Sequence, residues 1–171
     1  MAVKMTRSDF IQRSLLTAGG LGTLGFSSFQ SSKAGEIPEK LIREYVIAGH
    51  NDLDKLEKML SDNPELLYTR YHWGNGDFEA AIEGAGHVGH REIAEYLIDR
   101  GARVTLYVLT MLGKEELVIP VLDEYPSLIN ASGPHGFTLL HHAKMGGEKS
   151  KGIYQYLQEK GLQTTKNDPM Y

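Results

Sequence analysis

The chain has 171 residues, 41% hydrophobic and 23% charged, the values of an ordinary folded domain rather than of a disordered segment. Its formal net charge of −4 argues against general affinity for nucleic acid, which needs clustered Lys and Arg to neutralise phosphates. With no cysteine, the chain has no disulfide, thiolate zinc site, cysteine nucleophile or lipid-modified cysteine, so any chemistry falls to His, Asp, Glu, Ser, Thr or Tyr.

Lys4, Arg7 and Arg13 precede an uncharged stretch of apolar and small residues at 15–29, and Ser32-Lys33-Ala34 follows it. A basic region, a short apolar core and small residues two apart describe a secretory leader over 1–34, cleaved after Ala34. The apolar stretch is too short and too rich in glycine for a transmembrane helix, so no membrane span is expected once the leader is removed. Thr6-Arg7-Ser8-Asp9-Phe10-Ile11-Gln12 resembles the twin-arginine export motif S-R-R-x-F-L-K, with Ser8 where the second arginine belongs. Both the twin-arginine and the general secretory routes therefore stay open. The expectation is export to the periplasm or the extracellular space. Its alternative is a disordered or amphipathic tail on a cytoplasmic protein.

Gly20, Gly22 and Gly25 in the same stretch fit G-x-G-x-x-G, but the strand, helix and acidic residue that a dinucleotide fingerprint requires are not visible around them. They read better as a weakly helical signal core, and no cofactor is expected. Loss of the leader takes four basic residues and Asp9 with it, leaving 14 Lys and Arg against 21 Asp and Glu and a net charge of −7.

From Glu36 onward helical periodicity recurs with a fixed internal grammar. First helices are expected at 38–48, 77–86, 105–112 and 138–145, with Ala48, Ala85 and Ala143 where paired helices approach most closely. Each is followed by a second helix in a common frame. On Asn51 the frame gives Leu56, Met59 and Leu60, and on Gly89 it gives Ile93, Ala94, Leu97 and Ile98, closed by Gly101. On Gly113 it gives Leu117, Val118, Val121 and Leu122, and on Lys149 it gives Ile153, Leu157 and Gly161. Pro64 and Pro126 stand thirteen positions after Asn51 and Gly113, where a proline stops the helix and lets an apolar pair tuck back under the stack. Pro120 should kink the third unit's second helix or make it start late. Lys149, Lys151, Gln155, Gln158, Glu159 and Lys160 give the last helix a wet outer face, suited to the end of an array.

Two segments carry a family resemblance. Thr138-Leu139-Leu140-His141-His142-Ala143 departs from the ankyrin signature T-P-L-H-x-A only at Leu139, and Gly89-His90-Arg91-Glu92-Ile93-Ala94 through Gly101-Ala102 closely follows the ankyrin second-helix pattern. Residues 41–161 thus resemble ankyrin repeats. The resemblance implies an all-α ankyrin-repeat solenoid of about four helix-turn-helix units over 35–162, with a flexible tail at 163–171. Frame residues are separated by 38, 24 and 36 positions, against an ankyrin period of about 33. The short interval implies a missing hairpin between the second and third units, and the long first one an enlarged loop at 63–76. The resemblance also makes His141, bonded to Thr138, and His90 architectural residues of the repeat turns. Asn130-Ala131-Ser132, although it fits a glycosylation acceptor, reads as repeat grammar.

Function in such arrays is carried by surface residues, and the expectation is a protein-interaction module without catalysis, its partner and oligomeric state unnamed by the sequence. Tyr71, Trp73, Asp77 and Glu79 fall in a cluster leading into the second unit, with Tyr107, His135 and His142 on the equivalent surface of later units. Tyr, Trp, Arg and His are enriched in binding hot spots, although Trp73 and Phe78 could equally form a satellite core under the enlarged loop. The alternative reading is a metal-dependent or small-ligand-binding enzyme. Glu83 stands four residues before His87, and such a pair can share a divalent metal with His50 or His135 completing the set. The spacing is common, so His72, His87, His135 and His142 are expected as exposed polar residues with no metal bound. No nucleophile motif such as G-x-S-x-G or S-x-x-K is present.

Overall fold

A computed structural model describes residues 35–167. The leader, with its twin-arginine-like motif and its three glycines, lies outside the described residues. Among those described, eight α-helices pair into four units: α1 (Glu39–Asn51) with α2 (Leu53–Asp62), α3 (Ala81–Val88) with α4 (Arg91–Asp99), α5 (Leu106–Leu112) with α6 (Glu115–Glu124), and α7 (Leu139–Gly146) with α8 (Lys151–Glu159). The fold is an all-α solenoid, and the described residues contain no helix long and apolar enough to cross a membrane.

All four second helices begin two residues after the frame residue, at Leu53, Arg91, Glu115 and Lys151. Gly89 and Gly113 adopt left-handed backbone at the first helix's end, with φ of 81° and 73°, which reverses the chain into the second helix within two residues. The α6 helix starts in the same place as the others and runs through Pro120, which is exposed. The expected late start does not occur because Gly113 and not the proline sets the helix's beginning.

Side chains of the two neighbouring units bond to the end of α5. Arg91 donates to the carbonyls of Leu112 and Met111 at 3.0 and 3.1 Å, and Ser150 Oγ donates to those of Thr110 and Met111 at 2.8 and 2.9 Å. The Leu112 and Met111 carbonyls stand in the last turn, where the helix itself supplies no donor, so the stack satisfies what α5 leaves open. His141 Nε2 bonds to the His87 carbonyl at 2.7 Å, and Thr138 Oγ1 accepts the His141 N–H at 3.4 Å. The ring of the signature histidine therefore ties the fourth unit to the second, while its own turn is closed by the Thr138 hydroxyl on the His141 backbone N–H.

First helices stack in order α1, α3, α5, α7, and their small residues set the spacing. Ala48, Ala85 and Ala143 are buried, and a Cβ on Gly49 would lie 2.4 Å from the Ala81 carbonyl oxygen. The core divides into two clusters that meet at α5. Val108, Met111 and Leu112 join the cluster of the first two units, while Leu106, Tyr107 and Leu109 pack on that of the last two. Pro64 and Pro126 each open a short 3-10 helix, Pro64–Tyr68 and Pro126–Asn130, which buries Leu66 in one case and Ile129 in the other.

Two parts of the chain differ from expectation. Residues 77–79 are not the start of a helix: Asp77–Glu79 forms strand β2, antiparallel to β1 (Tyr71–Gly74). Gly74, Asn75 and Gly76 all adopt positive φ, 110°, 49° and 77°, a conformation these residue types tolerate and a helix start does not use. The enlarged loop is thus a 3-10 turn followed by a hairpin. At the other end, Thr164 to Asn167 fall in the expected tail but return to the fourth unit. Thr138 donates from its Oγ1 to the Thr164 carbonyl at 2.7 Å and from its N–H to that of Thr165 at 3.1 Å, and the Asn167 N–H reaches the Gly136 carbonyl at 2.9 Å.

Candidate functional site

The β1–β2 hairpin projects beside the loop that precedes α7, and the two border a cleft of about 960 Å³ whose walls include Arg70, Trp73, Asp77, Tyr107, Gly133 and His135. The shortened connection at 102–105 explains this neighbourhood, because the third unit contributes no hairpin and the second unit's reaches the fourth directly. Asp77 makes the contact. Its Oδ1 accepts the His135 N–H at 3.1 Å and its Oδ2 bonds His135 Nδ1 at 2.6 Å. His135 has φ 59° and ψ 16°, a left-handed conformation costing a non-glycine residue on the order of 1–2 kcal/mol, and Asp77 supplies both bonds that hold it there.

Beneath the hairpin the chain gathers a carboxylate and three histidines. Glu79 is fully buried at the end of β2, where strand alternation turns it inward between exposed Phe78 and the α3 start. Its Oε1 lies 2.8 Å from His87 Nε2 and 3.5 Å from His50 Nε2, and its Oε2 lies 3.3 Å from His135 Nε2. The His50 and His87 Nε2 atoms are 3.0 Å apart. Trp73 completes the surroundings, donating its Nε1–H to Glu79 Oε2 at 2.9 Å. Desolvation pushes the Glu79 carboxyl upward, but the hydrogen bond from His87 and the fields of His50, His87 and His135 together outweigh it and hold the group below its ordinary value. One donor atom from each of His50, Glu79, His87 and His135 falls within 4.8 Å of every other, a grouping compact enough to hold a metal ion.

The residues expected at a partner surface divide accordingly. Tyr71, Trp73, Asp77, Tyr107 and His135 are partly exposed around the hairpin and the cleft. Tyr71 and Trp73 meet edge to face with centroids 4.7 Å apart, and the Arg43 guanidinium lies 5.6 Å from the Trp73 centroid. Burial first and the field of Glu83 second push the Tyr107 phenol up to about 12. Glu79 and His142 do not reach the surface. Glu79 is turned into the histidine cluster, and His142, 1% exposed, bonds the Thr138 carbonyl with its Nδ1 at 2.8 Å and lies against Tyr107. Their burial also corrects the expectation that the histidines outside the signature are exposed: His72 is exposed, His87 and His142 are buried, and His135 is intermediate.

The carboxylate that meets His87 is Glu79 rather than Glu83. Glu83 Oε2 accepts the Ala80 N–H at 2.9 Å, closing the first turn of α3, and pairs with Arg70 Nη2 at 2.6 Å. Spacing on a helix pointed to Glu83, whereas the strand that delivers Glu79 became visible only with the hairpin. Gly84 is a further residue of the site, since a Cβ there would lie 2.8 Å from the His50 ring. A glycine inside a helix costs about 1 kcal/mol relative to alanine, and here its bare backbone makes room for the imidazole.

No family model matches the chain. A protein of Rickettsia felis (strain ATCC VR-1525 / URRWXCal2) that bears the provisional name of ankyrin repeat protein is 26% identical over 149 residues. The match takes in 86% of this chain and 61% of that protein, so the chain spans about three fifths of its relative's length. The similarity and the four stacked helix pairs agree on an all-α, ankyrin-like solenoid.

Proposed function

We propose that the chain is an exported protein-interaction module of the ankyrin type, which grips a segment of a partner protein between the β1–β2 hairpin and the loop before α7. The observation that carries this reading is the hairpin's aromatic surface beside the cleft. Phe78 is 48% exposed, stacked on exposed His72 with centroids 4.4 Å apart, and Tyr71, Trp73 and Tyr107 are half-buried nearby. Rigid aromatic side chains contribute large contact area with little conformational freedom to lose, which makes them effective anchors. The repeat stack supplies a fixed support, and the mixed charge of the cleft, with Arg70, Asp77 and Lys166 among its walls, suits a partner segment bearing both signs.

Affinity capture from the native source with the full chain tests the reading, compared with Phe78→Ala and Tyr107→Ala, neither of which touches Glu79. Each substitution is expected to weaken retention of a specific partner about tenfold or more. If both variants retain the same proteins as the parent, the proposed surface is wrong.

A further inference from the structure

We propose that His50, Glu79, His87 and His135 form a binding site for one divalent transition-metal cation, zinc or a cation of similar preference, which fastens the hairpin to the helix stack. The donors come from four elements: His50 from the end of α1, Glu79 from β2, His87 from α3 and His135 from the loop before α7. No two share a helical turn, so their convergence is not a by-product of spacing along one helix.

Imidazole nitrogens with a carboxylate oxygen suit zinc and its first-row neighbours, whereas calcium and magnesium prefer all-oxygen sites. With metal bonds of 2.0–2.1 Å, tetrahedral ligands stand roughly 3.3 Å apart. Glu79 Oε1 and the His50 and His87 Nε2 atoms are mutually 2.8, 3.0 and 3.5 Å apart, and His135 Nε2 lies 3.3 Å from Glu79 Oε2. The wider donor pairs, within 4.8 Å, come to tetrahedral spacing by rotation of the rings and the carboxylate.

The outer partners of two histidines fix which nitrogen faces inward. His50 Nδ1 bonds the Val46 carbonyl at 3.0 Å and so carries a proton, which leaves Nε2 of the neutral ring bare and aimed at Glu79 and His87. His135 Nδ1 is likewise engaged by Asp77, and its Nε2 points to Glu79. Metal-binding histidines show this pattern, in which the second nitrogen is held by a carbonyl or a carboxylate. A cation takes the place of the proton that His87 Nε2 shares with Glu79 Oε1 and bonds all four donors at once. Charge also matches, because the two carboxylates present, Glu79 and Asp77, balance a cation of charge two. Four protein donors complete a tetrahedral shell, which makes the site a staple between elements rather than an open catalytic position.

The test uses the full chain, freed of metal with a chelator, and titrates it with Zn2+ by calorimetry and with Co2+ by visible absorption, with circular dichroism to verify folding. The expected result is one equivalent of metal, a tetrahedral cobalt spectrum and a higher Tm on adding Zn2+. His87→Ala and His135→Gln are each expected to weaken Zn2+ binding about 100-fold, and Asp77→Asn, at a residue that holds His135 and is not itself a donor to the metal, by about 10–100-fold. His72→Gln, on the exposed hairpin surface and outside the donor set, is expected to leave Zn2+ binding unchanged. Folded parent protein that takes up no stoichiometric Zn2+ overturns the proposal. So does unchanged affinity in both His87→Ala and His135→Gln, and so does loss of binding in His72→Gln, which would place the metal elsewhere.

Discussion

His142 shows how a residue typical of surfaces is put to structural use. Its ring sits in the core beside Tyr107, with His141 and His87 the titratable groups whose fields reach it, and burial pushes it down to about 4. In the unfolded chain the same group titrates near 6.5. Its folded-state value is depressed, so the fold is unaffected by this residue above pH 6.5 and loses stability as pH falls from there towards 4. By pH 5 the expected loss is roughly 2 kcal/mol. Urea denaturation at pH 7 and pH 5 measures it, and His142→Gln, which cannot titrate, should show a correspondingly smaller difference between the two. An equal difference in both proteins assigns the acid sensitivity to other groups.

At the same scale, the sequence shows His141 clearly but says little of Glu79. The signature histidine is recognisable because its neighbours in the chain define it. Glu79 gains its role from residues 8, 29 and 56 positions away, and only the three-dimensional path brings them to it. Spacing alone points to Glu83, but Arg70 and the Ala80 N–H engage its carboxylate.

Among elements, the second helices were the most legible. Their starts follow the frame without exception because a turn residue and an apolar stripe are both local signals, and Gly101, Pro64 and Pro126 end the helices as expected. The hairpin was not legible as a strand pair, since Tyr71–Gly74 and Asp77–Glu79 are four and three residues long, too short for alternation to stand out. The approach of Gly49 in α1 to the Ala81 backbone of α3 is also invisible to pattern reading, yet it is specific. Gly49→Ala places a methyl group against the Ala81 backbone, at a site where neither helix can yield alone. A loss of about 2 kcal/mol in unfolding free energy is expected despite alanine's better helix propensity. A stability equal to or above the parent's would mean that α1 and α3 separate easily.

At the scale of the whole molecule, four units share one continuous stack, because α5 contributes to both apolar clusters. Number of units and order of helices could be read from the repeat grammar. The contact of Asp77 with His135, which skips a unit, could not, as it depends on the β1–β2 hairpin. The proposed export is tested on the whole chain too: intact-mass measurement on protein from the native source is expected to show a mature start at Gly35. A start at Met1 or Met5 would count against export.

Asp77 and His135 are 58 positions apart, and their contact joins units that are not neighbours in the array. A linear array made only of adjacent contacts can assemble from any point and fray from either end. Here the second and fourth units must both be in place before the hairpin can dock, so closure is a late event in folding and is governed by the longest loop in the site. For the reverse process, the docked hairpin couples α1, α3 and the α7 approach, and fraying that begins at the fourth unit must first release the hairpin. The chain has the architecture of a repeat array but the folding kinetics expected of a globular domain.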